Sequence, residues 1–317
     1  MPAMSLEAIT NIAREFGHKP AVVTAFATLG GIWSVYLLNN IRYFAYHHFL
    51  RPTSLGKYKK SPSPAWALVT GASDGIGKGF AEELCSRGFN VVLHGRNKAK
   101  LQAVKDELLE QWPQVEIKVL VLEAVETARN LDALEESVRW VANLNLKVLI
   151  NNIGEDTSML VDLNAMFPTQ VTRVLLPTLI RNQPALILSI GSICGEVPSL
   201  YASAYAGAKA YNKAWSRSLS LEMKAEGRDI EVIDILVGEV SSGSQPQELS
   251  LFTPSSRRMA KDSLGKVGCG ADVIWGYWPH HLQFGLILSL PRAIMENTIK
   301  GMVLEEKAKE GTERKST

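Results

Sequence analysis

The sequence predicts an α/β fold in which helices cover both faces of a doubly wound parallel sheet. Short apolar runs typical of buried strands alternate with stretches of helical periodicity, and this alternation is the signature of such a sheet. With 317 residues, 46% of them hydrophobic, the chain is long enough for one such domain with appendages. The predicted strands are residues 65–70, 90–94, 117–122, 147–150, 185–190, 230–236 and 272–275.

Composition excludes several classes of protein. A formal net charge of +2, without a basic stripe of interleaved aromatic residues, argues against a nucleic-acid partner. The three cysteines, Cys85, Cys194 and Cys269, are odd in number and widely spaced. They predict neither a disulfide framework nor a metal site, and they favour a reducing compartment.

A glycine-rich turn, residues 71–77, follows the first predicted strand and precedes a helical stretch, 79–87, for which Gly88 suits the C-cap. Such a turn lets the backbone approach a pyrophosphate, which the N-terminus of the following helix then holds. The sequence therefore predicts a dinucleotide site, and we expect its contacts to be Gly71, Ser73, Gly75, Ile76 and Gly77.

Ser192, Tyr205 and Lys209 form a second candidate site. Tyr205 and Lys209 are four residues apart, so they share one face of a helix. An ammonium near a phenol favours the phenolate, and a nearby hydroxyl can hold a carbonyl oxygen against that phenol. The trio is therefore suited to moving one proton to or from an oxygen. For the Tyr–Lys pair alone, a solvated helix face is the alternative interpretation.

Arg96 indicates which dinucleotide binds. It follows the second predicted strand, whose end reaches the adenosine ribose. An acidic residue there would favour the 2′-hydroxyl of NAD, whereas Arg96, assisted by Ser73, offers positive charge to a 2′-phosphate. This pattern favours NADP(H); a surface arginine is the alternative.

An uncharged apolar segment, residues 21–38, lies near the N-terminus. About 20 apolar residues span a bilayer core, so we expect a single transmembrane helix, with a cleaved signal peptide or a buried helix as alternatives. The heavier positive flank follows the segment and should stay in the cytosol together with the catalytic domain. The flanking basic residues are Arg14 and Lys19 before it, and Arg42, Arg51, Lys57, Lys59 and Lys60 after it.

These motifs resemble the short-chain dehydrogenase/reductase family over roughly residues 64–280. The resemblance rests on the glycine turn, on Asn151-Asn152-Ile153-Gly154 after the fourth predicted strand, and on the order and spacing of the trio. Ile153, the N-terminal apolar segment and the stretch Gly276-Tyr277-Trp278-Pro279-His280 are similar to those of membrane-bound very-long-chain 3-oxoacyl-CoA reductases and 17-beta-hydroxysteroid dehydrogenases.

The resemblance implies a Rossmann-type fold and further site residues. It makes Asn164 a fourth catalytic residue, and Asn152, Tyr205, Lys209, Val240 and Ser242 cofactor contacts. The connection from Gly154 to Asn164 is shorter than we expect for this branch. Two basic residues at positions 314 and 315, near the end of the chain, resemble a dilysine-type retrieval signal, which favours the endoplasmic reticulum; an ordinary charged tail is the alternative.

We therefore expect an NADPH-dependent reductase in which Tyr205 donates a proton, Lys209 lowers the Tyr205 pKa and holds the ribose, Ser192 holds the substrate oxygen, and Asn164 supports a water. The expected substrate is lipid-like, a 3-oxoacyl-CoA or a steroid-like ketone, with membrane lipid as a further partner and a homodimer left open. A tailoring enzyme of secondary metabolism and a catalytically silent nucleotide-binding membrane scaffold are the alternatives.

The expected domain divisions are an anchor over 1–60, the reductase over 61–280, and a C-terminal segment over 281–317. This last segment could lie on a membrane, wall an acyl channel, or pack on the domain.

Overall fold

The computed structural model describes residues 19–154, 160–243 and 245–316, and divides into two compact units at Arg51 and Pro52. The N-terminal unit contains helix α1, Pro20–Ala45, and a π-helical turn, Tyr46–Leu50. None of the α1 residues is buried, and the helix is long and apolar enough to cross a membrane. The predicted apolar helix therefore forms, and it extends beyond Leu38 to Ala45. Arg14 lies outside the described residues.

The second unit is built on a seven-stranded sheet of order β3-β2-β1-β4-β5-β6-β7, in which every neighbouring pair is parallel. The crossover from the β1–β2–β3 half to the β4–β7 half lies between β1 and β4. This confirms the predicted doubly wound parallel sheet. The strands are β1, Trp66–Val69; β2, Asn90–Gly95; β3, Ile117–Val121; β4, Leu146–Asn151; β5, Ala185–Ile190; β6, Ile230–Leu236; and β7, Val273–Trp275.

Helices connect the strands and cover both faces of the sheet, as parallel connections require. One apolar core includes Phe80, Leu84 and Ile233, and the other includes Phe167, Leu219 and Val232. The helices of this unit are α2, Gly75–Ser86; α3, Lys98–Gln111; α4, Ala124–Arg129; α5, Leu131–Val138; α6, Phe167–Arg181; α7, Ser203–Ala225; α8, Ser256–Gly265; α9, Trp278–Leu288; and α10, Arg292–Ser316.

The stretch that leads into β1 packs on the sheet. Leu55 and Tyr58, on a 3₁₀ turn over Leu55–Lys59, are buried in the first core. The Tyr58 hydroxyl donates to Glu231 Oε2 at 2.6 Å, and the second Glu231 oxygen accepts from Gly268 N at 2.7 Å. Residues that follow Arg51 therefore belong to the sheet-containing unit.

Candidate active site

The glycine turn lies at the carboxyl end of β1 and opens directly into α2. Asp74 caps the helix, because its carboxylate accepts the backbone N–H of Gly75 at 2.6 Å. The helix therefore begins at Gly75, earlier than the predicted start at residue 79, and Ile76 and Gly77 lie in its first turn. Gly71 and Gly75 have φ values of +64° and +57°, which favour glycine. The turn thus presents the backbone N–H groups of a helix N-terminus, as a pyrophosphate requires.

Hydrogen bonds join the glycine turn to the Asn-Asn motif after β4. Thr70 Oγ1 accepts from the backbone nitrogens of Asn152 and Ile153 at 2.9 and 3.1 Å. The Asn152 side chain donates to the carbonyls of Thr70 and Gly71 at 3.0 and 3.3 Å. A Cβ on Gly77 would overlap the Gly71 carbonyl oxygen and lie 2.5 Å from Asn152 Nδ2. The glycine turn and the Asn-Asn motif, together called the glycine cradle, can therefore approach this closely only if residue 77 is glycine.

The predicted adenosine and nicotinamide contacts lie around this cradle. Arg96 is exposed directly after β2, and Ser73 is half-buried in the glycine turn. Val240 and Ser242 lie in the segment that follows β6. A Cβ placed on Gly75 would be 3.3 Å from the Cβ of Ser242, so this segment approaches the glycine turn. The residues present fit a dinucleotide, since backbone N–H groups, small residues and the exposed Arg96 follow the carboxyl edge of the sheet.

The strand β5 and the helix α7 bring the predicted trio together. Ser192 follows β5 and caps the 3₁₀ turn Ile193–Gly195, with its Oγ accepting from Cys194 N at 3.2 Å. Tyr205 lies half-buried in the first turn of α7, and Lys209 is buried one turn later. Lys209 Nζ lies 5.5 Å from the centre of the Tyr205 ring and donates to the Ile190 carbonyl at 2.7 Å.

Burial controls the charge of Lys209. Its side chain is 5% exposed, and desolvation lowers its pKa from 10.5 to about 8, against the attraction of Asp234. At neutral pH the amine therefore stays largely protonated, while its proton is held less tightly than on a surface lysine.

Asn164 is fully buried in a π-helical turn, Asp162–Met166, at the start of α6. Its side-chain nitrogen donates to the Leu160 carbonyl at 3.1 Å, and its backbone carbonyl accepts from the side-chain nitrogen of Asn212 on α7. A Cβ on Gly154 would overlap Asn164 Oδ1 and lie 3.6 Å from Lys209 Nζ. Asn164 and Lys209 therefore face the same small space, although residues 155–159 of the short connection lie outside the described residues.

The sequence analysis gave no role to three buried polar residues of this region. Asn212 is one of them. The second is Asp234, a fully buried acid within the apolar run of β6, where the charge itself was the available signal. The third is His280, which the sequence analysis named only as the last residue of the stretch that resembles the membrane-bound reductases.

His280 links the end of β6 to the following segment. Its Nδ1 accepts from Gly238 N at 3.1 Å, and its Nε2 lies 3.1 Å and 3.0 Å from the carbonyls of Glu239 and Phe252. The proton is therefore assigned to Nε2. Burial lowers the pKa of His280, which favours this neutral form.

Comparison with known proteins places this site in a family. A family model described as short chain dehydrogenase matches residues 65–250, which include the glycine turn, the Asn-Asn motif and the trio. The chain belongs to the short-chain dehydrogenase family. It is thus an oxidoreductase that acts on C=O or CH–OH groups with a nicotinamide cofactor, as the sequence analysis expected.

Two curated relatives of this short-chain dehydrogenase are named very-long-chain 3-oxoacyl-CoA reductase. The Podospora anserina protein is 33% identical over 81% of this chain and 80% of its own length. The Pyricularia oryzae protein is 32% identical over 85% of each chain. The predicted resemblance to these reductases is confirmed.

A solved structure shows a similar fold. The short-chain dehydrogenase from Sphingobium yanoikuyae in complex with NADPH aligns with a TM-score of 0.58 at 26% identity, over 73% of this chain and 97% of that one. It confirms the Rossmann-type architecture.

Proposed function

We propose that this short-chain dehydrogenase reduces the ketone of a long-chain 3-oxoacyl-CoA to an alcohol with NADPH. The observation that carries the proposal is the convergence of Ser192, Tyr205 and Lys209 beside the glycine cradle, in a chain that matches 3-oxoacyl-CoA reductases over most of its length. The same convergence argues against a catalytically silent scaffold.

In the proposed mechanism, Ser192 Oγ donates a hydrogen bond to the ketone oxygen and orients the carbonyl. When bound, the reduced nicotinamide supplies a hydride to the carbonyl carbon. Tyr205 gives its hydroxyl proton to the same oxygen as general acid. Lys209 stabilises the phenolate that remains and holds the nicotinamide ribose, and Asn164 supports a water through which Tyr205 regains a proton.

NADP(H) is the proposed form of the cofactor because Arg96 is exposed directly after β2, and in folds of this kind the end of the second strand reaches the adenosine ribose. A charge-assisted contact to a 2′-phosphate contributes about 1.5–3 kcal/mol. Arg96→Asp should therefore raise the KM for NADPH at least about tenfold and narrow its advantage over NADH. Steady-state kinetics with both cofactors measure this.

The matched control is Arg139→Asp, which makes the same charge change at an exposed residue after α5. Because α5 precedes β4, this position lies towards the amino ends of the strands, away from the cradle. The Arg139→Asp variant should therefore keep the wild-type preference between NADPH and NADH. A wild-type preference for NADH under matched conditions would contradict the assignment.

An aromatic wall beside the reacting residues supports a lipid-like substrate. Ile193 N donates to the Val237 carbonyl at 3.0 Å, so the residues that follow β5 and β6 are joined. A Cβ on Gly238 would lie 2.6 Å from the Phe284 ring of α9. The Phe284 ring stacks on Trp275 with ring centres 6.1 Å apart, and these two rings form the aromatic wall. Beyond this wall, α9, α10 and the turn between them expose apolar side chains: Leu282, Leu286, Leu288, Leu290, Ile294, Met302 and Leu304.

An acyl chain that follows this wall should contribute about 0.8 kcal/mol per buried CH₂. We therefore expect kcat/KM to rise with chain length across a series of 3-oxoacyl-CoA substrates, measured by NADPH oxidation. Steroid and polyketide ketones belong in the same panel. A flat or falling profile would contradict the acyl-chain proposal, and preference for a polycyclic ketone would favour a tailoring enzyme of secondary metabolism.

We further propose that α1 anchors the protein in the endoplasmic reticulum membrane with the reductase domain in the cytosol. Support comes from the length and apolarity of α1 and from the basic residues that follow it. Protease added outside sealed microsomes should then digest the reductase domain; protection of that domain would mean the opposite orientation. The side chains of the basic tail lie outside the described residues.

A further inference from the structure

Asp234 is a buried acid to which the reaction described above gives no role. It lies on β6 with its side chain 0% exposed, and neither carboxylate oxygen accepts a hydrogen bond within the described ranges 19–154, 160–243 and 245–316. By contrast, the polar side chains at the neighbouring sheet positions do form hydrogen bonds. Ser189, directly opposite on β5, accepts from Ser216 Oγ at 3.1 Å, and Asn151 on β4 donates to Thr172 at 2.8 Å. A buried carboxylate in such a position needs a compensating charge or a proton.

The compensating charge lies across one dipeptide, Ile190–Gly191. Lys209 Nζ donates to the Ile190 carbonyl at 2.7 Å. On Gly191, a Cβ would overlap Asp234 Oδ2 and lie 3.1 Å from the Asp234 Cγ, so only glycine leaves room for the acid. The carboxylate and the ammonium therefore approach the same dipeptide, immediately before Ser192.

Electrostatics couple the two side chains. Burial raises the pKa of Asp234 to about 7, and the attraction of Lys209 acts in the opposite direction. Burial likewise lowers the pKa of Lys209, and Asp234 opposes it. The other groups that act on this pair are Lys213, Glu196 and Cys194. Since Lys213 and Glu196 form an ion pair with each other, they contribute no net charge.

We propose that Asp234 is the buried counter-charge of Lys209 and acts on the reaction through that lysine, as a positioning residue that keeps it protonated beside Tyr205. The inference rests on the proposed ketone reduction. It assigns a role to the charge inside β6 and explains why glycine precedes Ser192.

The first test is the pH profile of kcat for Asp234→Asn, a neutral variant of nearly the same shape, in the full-length protein. Reduction ends at alkaline pH when the coupled Tyr205 and Lys209 pair loses a proton. Without the negative charge that proton leaves more readily, so the alkaline limb should move to lower pH by about one unit. In the reverse oxidation, which needs the deprotonated pair, the acid limb should move in the same direction.

The control is Ser216→Ala, which removes a buried polar group from the same layer without changing charge. It should leave both limbs where the wild type has them. A role for Asp234 in packing alone would lower the plateau of the Asp234→Asn profile without moving its limbs, and that result would overturn the proposal.

The second test needs no substrate, so its result is independent of the proposed function. A double-mutant cycle combines Asp234→Asn with Lys209→Met and follows the Tm of the full chain in detergent at pH 7.5, between the two pKa values of about 7 and 8, where both groups are mostly charged in the wild type. Removing one member of a coupled buried pair leaves the other charge uncompensated, and removing both relieves this. The double variant should therefore melt higher than the sum of the two single shifts predicts. Additive shifts would overturn the proposal, whether or not any ketone is reduced.

Discussion

Tyr205→Phe should lower kcat for ketone reduction at least about 100-fold, the usual effect of losing a general acid. The phenyl ring keeps its place in the first turn of α7, where Lys209 Nζ lies 5.5 Å from the ring centre. Because only the hydroxyl is removed, the Kd for NADPH and the Tm should stay close to those of the wild type. Single-turnover kinetics with saturating NADPH separate the chemical step from binding.

Tyr211→Phe is the matched control on the same helix. Tyr211 is 46% exposed, and its hydroxyl forms a hydrogen bond with Thr169 at 3.2 Å; neither residue has a role in the proposed mechanism. Its loss should leave kcat within about twofold of the wild type, because exposed substitutions of this kind change little. Normal turnover by Tyr205→Phe would mean that another group donates the proton.

Gly77→Ala should raise the Kd for NADPH at least about tenfold and lower the Tm. The added methyl group would overlap the Gly71 carbonyl and approach Asn152 Nδ2 to 2.5 Å, so the turn and the Asn-Asn motif must move apart. Overpacking of this kind costs about 1–3 kcal/mol, and each 1.4 kcal/mol that falls on the cofactor cradle is a factor of about ten in affinity. Fluorescence titration with NADPH measures the loss.

Gly301→Ala makes the same chemical change at a position where, among the described residues, no atom outside the adjoining helix backbone lies within 4 Å of the new methyl group. Gly301 lies inside α10, and alanine is the better helix former by about 1 kcal/mol. The control should therefore keep its NADPH affinity and melt no lower than the wild type. Unchanged NADPH affinity in Gly77→Ala would remove the glycine cradle from the cofactor site.

The sheet could be predicted from sequence because a parallel strand is buried on both faces and therefore appears as an almost continuous apolar run. Residues 185–190 and 230–236 were placed at their observed limits. The helix α2 was placed too late, since glycine-rich sequence disfavours a helix and the contribution of the Asp74 cap was not considered. Local chemistry decided that boundary more than periodicity did.

The neighbourhood of the reacting residues was harder to predict because it depends on contacts between distant segments. Spacing alone placed Tyr205 and Lys209 on one helical face. Nothing local indicates that Gly191 makes room for Asp234, 43 residues later by the sequence numbering. The links from His280 to Gly238 and Phe252 likewise exist only after β6, α9 and the intervening segment have packed together.

The central claim is that this chain transfers a hydride from NADPH to the ketone carbon of a long-chain 3-oxoacyl-CoA. Its most direct test incubates the purified full-length protein with NADPH deuterated at C4 of the nicotinamide, separately on each face, and analyses the product by mass spectrometry. We expect a 3-hydroxyacyl-CoA that carries one deuterium at C3 when one of the two faces is labelled and none when the other is. Recovery of unreduced substrate, or of product unlabelled with both cofactors, would contradict the account.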